Sequence, residues 1–209
     1  MSGETSTESG RSSGSLSTSV LERALVGDQG AFRKITDLCD GLVYSWCRKQ
    51  GLTEEDAKDV SQEVFTTVAM KLGNFRRESS NDSFRAWIRT ITKNKIADHY
   101  RAEKLRIQAI AGQVVDNEIP EPPLVIELDD DPARETAELY QRAVQLIRQQ
   151  FSERDFQVFW RITVDGMSGK DVAEEFGMKS NGNVFTVVSR IKKRVREEFG
   201  DLIDEGDQS

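Results

Sequence analysis

The sequence predicts an all-α protein, two small helical domains joined by an acidic, proline-containing linker, with the C-terminal domain a helix-turn-helix. Three observations carry this prediction. Apolar residues recur at three- and four-residue spacing through most of the chain, and no stretch alternates as a strand would. All four prolines fall in one acidic stretch between residues 114 and 138. Finally, MSGKDVAEEFGMKSNGNVFTVVSRIKKRVREE (Met167–Glu198) sets two helical patterns either side of a glycine turn, and the second carries only positive charge until Glu197.

Residues 1–19 are mostly Ser, Gly, Thr and Glu, with almost nothing to bury, and are expected to be a disordered tail. From Leu21 the pattern is helical. Phe32, Ile35, Leu38, Leu42, Val43 and Trp46 share a face, and Gly51 is a natural stop. Thr53-Glu54-Glu55-Asp56 resembles a capping box with Asp in the usual Glu place, and Ala57, Val60, Val64, Val68 and Leu72 follow at helical spacing. A third helix is expected from Asp82 or Ser83, with Phe84, Trp87, Ile88 and Ile91 apolar side inward. Residues 20–106 therefore read as one helical domain.

Residues 107–136 read as a flexible linker. Pro120, Pro122, Pro123 and Pro132 interrupt helix there, and Asp116, Glu118, Glu121, Glu127 and Asp129–Asp131 repel one another. A second domain, 137–203, begins with Leu139, Ala143, Leu146 and Ile147 on one helix and continues with Phe156, Phe159 and Trp160 on another. Ser152–Asp155 and Ser168–Asp171 repeat a Ser-x-x-acid start signal before the next two helices.

Composition narrows the function classes. The net charge of -7 is wrong for a protein that coats nucleic acid, so positive potential must be concentrated locally. Cys39 and Cys47 lack a CxxC partner and read as buried free thiols of a reducing compartment. No apolar run is long enough to span a membrane and no secretory signal opens the chain, so a cytoplasmic protein without membrane contact is expected. No metal cluster, glycine-rich phosphate loop or nucleophile–base pair is legible; His99 has no ligand partner. Neither cofactor nor enzymatic activity is expected.

In the C-terminal motif, Val172, Ala173 and Phe176 face inward and Gly177 suits a left-handed cap. Val184, Val187, Val188, Ile191 and Val195 form the buried stripe of the second helix. Asn181, Asn183, Thr186, Arg190, Lys193 and Arg194 remain for DNA, because Asn and Arg match the edges of adenine and guanine in the major groove. Lys179, Lys192 and Arg196 suit phosphates. A merely solvated basic face is the competing account, and the helix–Gly–helix spacing weighs against it.

The first domain shows two faces. Asp56, Asp59, Gln62, Glu63 and Thr66 make the outer side of one helix acidic and polar, which repels DNA. Lys71–Arg106 is the reverse, with Arg76, Arg77, Arg85, Arg89, Lys93, Lys95, Arg101, Lys104 and Arg106 against four acids. The spacing of Arg85, Arg89 and Lys93 predicts a basic stripe, with Trp87, His99 and Tyr100 as stacking surfaces for unpaired bases. The polar loop RRESSNDS, Arg76–Ser83, is a candidate pocket for a base flipped from the duplex.

Three segments carry a family resemblance: AFRKITDLCDGLVYSWCRKQGLTEEDAKDVSQEVFTTV, FRRESSNDSFRAWIRTITKNKIADHYR and the C-terminal motif. Together they resemble a bacterial RNA polymerase sigma factor of the extracytoplasmic-function (ECF) type, over roughly Leu21–Arg106 and Leu139–Phe199. The resemblance implies a sigma region 2-like domain for core polymerase and the -10 element, and a region 4-like domain for the -35 element. Asp56, Asp59, Gln62, Glu63 and Phe65 would then dock on the β′ clamp helices. Arg76, Arg77, Asn81, Arg85, Trp87, Arg89, Lys93, Asn94, His99, Tyr100 and Arg101 would bind and melt the -10 element, and the recognition-helix residues above would read the -35 element. Partners implied are core RNA polymerase (β′ clamp helices and β flap), promoter DNA and an anti-sigma factor. The turn MKSNGNVF departs from the family's shorter start, which leaves the register of the recognition helix open. A free-standing helix-turn-helix regulator binding an operator as a dimer is the alternative.

Overall fold

The computed structural model describes residues 19–76, 83–111, 128 and 131–203. Among these residues every regular element is helical. The helices are α1 (Val20–Leu25), α2 (Gln29–Lys49), α3 (Glu54–Lys71), α4 (Phe84–Ala111), α5 (Pro132–Ile147), α6 (Glu153–Thr163), α7 (Gly169–Glu175) and α8 (Asn181–Ile203). None of them is long and apolar enough to cross a membrane.

The start signals act as the sequence predicts. The side chains of Thr53, Ser152 and Ser168 accept the backbone N–H of Asp56, Asp155 and Asp171, each closing an otherwise unsatisfied helix donor. Ser19 closes a full capping box with Glu22, and Ser83 accepts the Ala86 N–H at 3.0 Å to open α4. Gly51 (φ +87°) and Gly177 (φ +58°) lie in the left-handed region where a Cβ is costly, ending α2 and reversing the chain after α7.

The predicted apolar stripes are the core. Ile35, Leu38, Leu42, Val43 and Trp46 of α2 are buried, as are Ala57, Val60, Val64 and Val68 of α3 and Val184, Val187, Val188, Ile191 and Val195 of α8. Phe32, Trp87, Leu146 and Trp160 pack against that core half-buried. Cys39 and Cys47 are buried and unbridged, and burial pushes both thiols up to about 12.

Two expectations need correction. Helix extends into both ends of the segment read as a linker: α4 runs to Ala111, and Asp131 and Pro132 start α5 as its N-cap and first residue. Proline at that position loses no hydrogen bond and its φ suits a helix, so here it starts a helix. The rest of the Pro- and acid-rich stretch lies outside the described residues, Leu128 and Asp131 apart. Nor do the two helical groups stand apart. Helices α1–α4 pack in sequence, α6 and α7 pack on α8, and α5 then lies against both α2 and α8 while α8 meets α1 and α4. One continuous apolar core runs through all of it.

Candidate nucleic-acid and protein interfaces

The acidic face of α3 is presented outward. Asp59, Gln62, Glu63 and Thr66 are exposed, whereas Val60 and Val64 on the opposite side are buried. Glu63 pairs with Lys95 of α4 at 3.1 Å. Asp56 is half-buried: its carboxylate accepts from the Thr53 hydroxyl at 2.6 Å and lies 4.0 Å from His99. Phe65 is the exception among the candidates for this face, at 7% exposure. Helical spacing turns it toward α2, where with Phe32, Ala69 and Met70 it lines an open groove of about 580 Å³. Met70 stands 71% exposed at the groove's edge, and the sequence reading missed it because an apolar residue outside the main stripe carries no periodic signal.

Helix α4 lies beside α3. Asn94 and Arg101 are exposed and Lys93 half-exposed, and Arg101 pairs with Asp98 at 2.5 Å. Arg76 is exposed and donates to the Gly73 and Phe75 carbonyls. Arg77 and Asn81, with most of the RRESSNDS loop, lie outside the described residues.

The basic stripe itself is corrected. Arg85 is 3% exposed and donates to the Pro132 carbonyl at 3.3 Å and the Thr136 hydroxyl at 2.9 Å, both on α5. Arg89 Nη2 donates to both oxygens of buried Glu135 at 2.7 Å, and its guanidinium lies 5.0 Å over the Trp46 ring. The Arg89 side chain keeps 15% exposure, and Lys93 is half-exposed. Trp87 is held in a cluster with Phe75 and Phe84, at centroid distances of 5.1 and 5.5 Å. Tyr100 donates to the Gln50 carbonyl at 2.5 Å, and burial followed by the charge of Asp56 raises its phenol above the ordinary range. His99 packs edge-on against Tyr100. Among the described residues no cluster of His, Cys, Asp and Glu offers a metal site.

On α8, Asn181, Asn183, Thr186, Arg190 and Lys193 are exposed on the side opposite the buried valines. The Thr186 hydroxyl donates to the Gly182 carbonyl at 2.8 Å. Arg190 pairs with Asp155 of α6 at 2.5 Å and Lys193 with Glu197 at 3.6 Å. Arg194 departs from the expectation: it is half-buried, donating to Gln150 at 2.7 Å and paired with buried Glu198 at 3.2 Å. Phe185 was missed. It is 51% exposed on the outer side of α8, and a Cβ added at Gly169 would come within 2.9 Å of its ring. The ring therefore occupies a notch that glycine leaves at the start of α7.

Residues 38–106, which span α2 from Leu38 through most of α4, match the family model of sigma-70 region 2. Two curated relatives are similar to the chain. The "ECF RNA polymerase sigma factor BldN" of Streptomyces coelicolor is 29% identical over 105 residues, 50% of this chain and 39% of that protein. The "ECF RNA polymerase sigma factor SigF" of Caulobacter vibrioides is 29% identical over 132 residues, 61% of this chain and 70% of that protein. The chain thus spans well under half the length of the first relative. The chain thus carries a sigma-70 region 2 on helices α2–α4 and is similar to two ECF-type sigma factors.

Proposed function

We propose that the chain is a dissociable, non-enzymatic specificity subunit that directs core RNA polymerase to promoters and promotes strand opening. The observation that carries this reading is the exposure of Asp59, Gln62 and Glu63 on α3, which its own core leaves unused, beside a cationic neighbour on α4. Exposed acids alone would serve solubility; set beside an apolar groove, Asp59 and Glu63 suit a basic protein partner. The β′ clamp helices are that partner, and the adjoining groove of Phe32, Phe65 and Met70 accepts an apolar side chain from it.

Lys93, Asn94, Arg76 and Arg101 then face the -10 element, with His99 at its border. Asn181, Asn183, Thr186, Arg190 and Lys193 face the -35 element, and Phe185 adds an apolar surface of the kind that meets a thymine methyl. Domain 20–106 works with polymerase and the -10 element, domain 137–203 with the -35 element and the β flap. Each DNA contact is weak alone, and joining them to one polymerase raises their effective concentration. Opening needs no hydrolysis, because capture of the separated strand supplies the driving force.

The test is reconstitution. The wild-type chain is expected to co-purify with core polymerase, and the double substitution Asp59→Arg, Glu63→Arg to lose at least about tenfold in affinity, equivalent to about 1.4 kcal/mol. Its melting curve stays unchanged, since exposed pairs such as Glu63–Lys95 contribute about 0–1 kcal/mol. Full retention of binding overturns the assignment of α3.

A further inference from the structure

The turn between α5 and α6 treats two arginines of α8 differently. Arg194 is drawn back onto Gln150 and buried Glu198. Arg190 stays 55% exposed, yet it is held from outside its own helix. Its Nη2 donates to Asp155 Oδ2, in the first turn of α6, at 2.5 Å. Its guanidinium carbon lies over the Phe151 ring, 6.0 Å from the centroid. Asp155 is fixed in turn, because Ser152 Oγ accepts its backbone N–H at 3.1 Å and so anchors the start of α6. An acid and an aromatic ring from one short segment thus constrain a single exposed guanidinium on the side of α8 opposite its buried valines.

We propose that Asp155 is a positioning residue for base reading: with Phe151 it sets the orientation in which Arg190 meets one base pair of the -35 element. Asp155 then determines specificity without touching a base. An arginine ordered beforehand gives up less side-chain freedom on binding, so more of a two-point bond to guanine O6 and N7 appears as affinity. A guanidinium has five N–H donors, and the bond to Asp155 engages one of them. The same carboxylate repels the phosphates of every sequence alike. Removing it should therefore take the advantage from one base pair while leaving binding to other sequences unchanged or stronger. A merely structural role at the start of α6 would weaken all sequences together. The inference rests on reading α8 as the -35 surface.

The experiment loads the full chain on core RNA polymerase and sequences the promoters retained from a library randomised across the -35 element. Arg190→Ala identifies the base pair, where preference is expected to fall at least about fivefold. Asp155→Ala is expected to lower preference at that same base pair at least about threefold, with recovery of other sequences unchanged or raised. Added to Arg190→Ala, it is expected to change nothing more at that position. Wild-type preference in Asp155→Ala overturns the proposal, as does a loss shared by all sequences or a further loss on top of Arg190→Ala. If Asp155→Ala does not fold, Phe151→Leu decides, since it removes the ring beneath Arg190 and keeps an apolar side chain. Lower preference at that base pair then supports the proposal, and an unmoved preference overturns it. If Arg190→Ala itself moves no single base pair, the base-reading assignment fails, and the positioning role with it.

Discussion

Single residues here carry more than one role, and charge burial separates them. The indole N–H of Trp46 is committed to a buried carboxylate, and its ring, 1% exposed, fills the centre of α2. Trp46→Phe keeps an aromatic ring but removes the N–H that donates to a buried carboxylate, so urea unfolding should register a loss of about 1.5–3 kcal/mol. Glu198 gives a pH signature. Burial pushes its carboxyl up, yet hydrogen bonds from Lys34 and Gln150 and the charges of Lys34 and Arg194 outweigh this, holding it below the ordinary 4.5. A carboxyl whose folded pKa is depressed adds stability that is complete above 4.5 and is lost as pH falls below it. Acid unfolding of Glu198→Gln should therefore be less pH-dependent in that window than that of the wild type; equal dependence would contradict the assignment.

At the scale of elements, much was legible because helices announce themselves locally. Thr53, Ser152 and Ser168 lie three residues before an acid, and each caps a helix in the structure. Ser168→Ala should cost about 1 kcal/mol in thermal or urea melts. Gly177→Ala should cost about 1–2 kcal/mol, because its backbone has φ +58°. The apolar stripes of α2, α3 and α8 were equally readable, since burial on one helix face leaves a period of 3.6. What was not readable is which distant group each face meets. Arg89 pairs with a residue 46 positions away, across the Pro-rich segment, and spacing within α4 contains no trace of it. The same holds for Phe185, whose site depends on the glycine at the start of a different helix.

At the scale of the whole molecule, a chain of net charge -7 sorts its charge onto separate faces. Acids are turned outward on α3, cations outward on α4 and α8, and the deepest ions of opposite sign are neutralised against each other between the two helical groups. This sorting leads to the expectation that Arg190→Ala weakens initiation by about 1–3 kcal/mol at promoters of one base identity and little at others, since a base-reading arginine discriminates by position. A uniform loss across promoters would make Arg190 a phosphate contact. The most direct test of the account is transcription from a randomised promoter library by core RNA polymerase with and without this chain. The account predicts transcripts that depend on the chain and start downstream of two enriched elements at fixed spacing. Transcription no greater than that of core polymerase alone, or enrichment of a palindrome bound by the chain without polymerase, would contradict it.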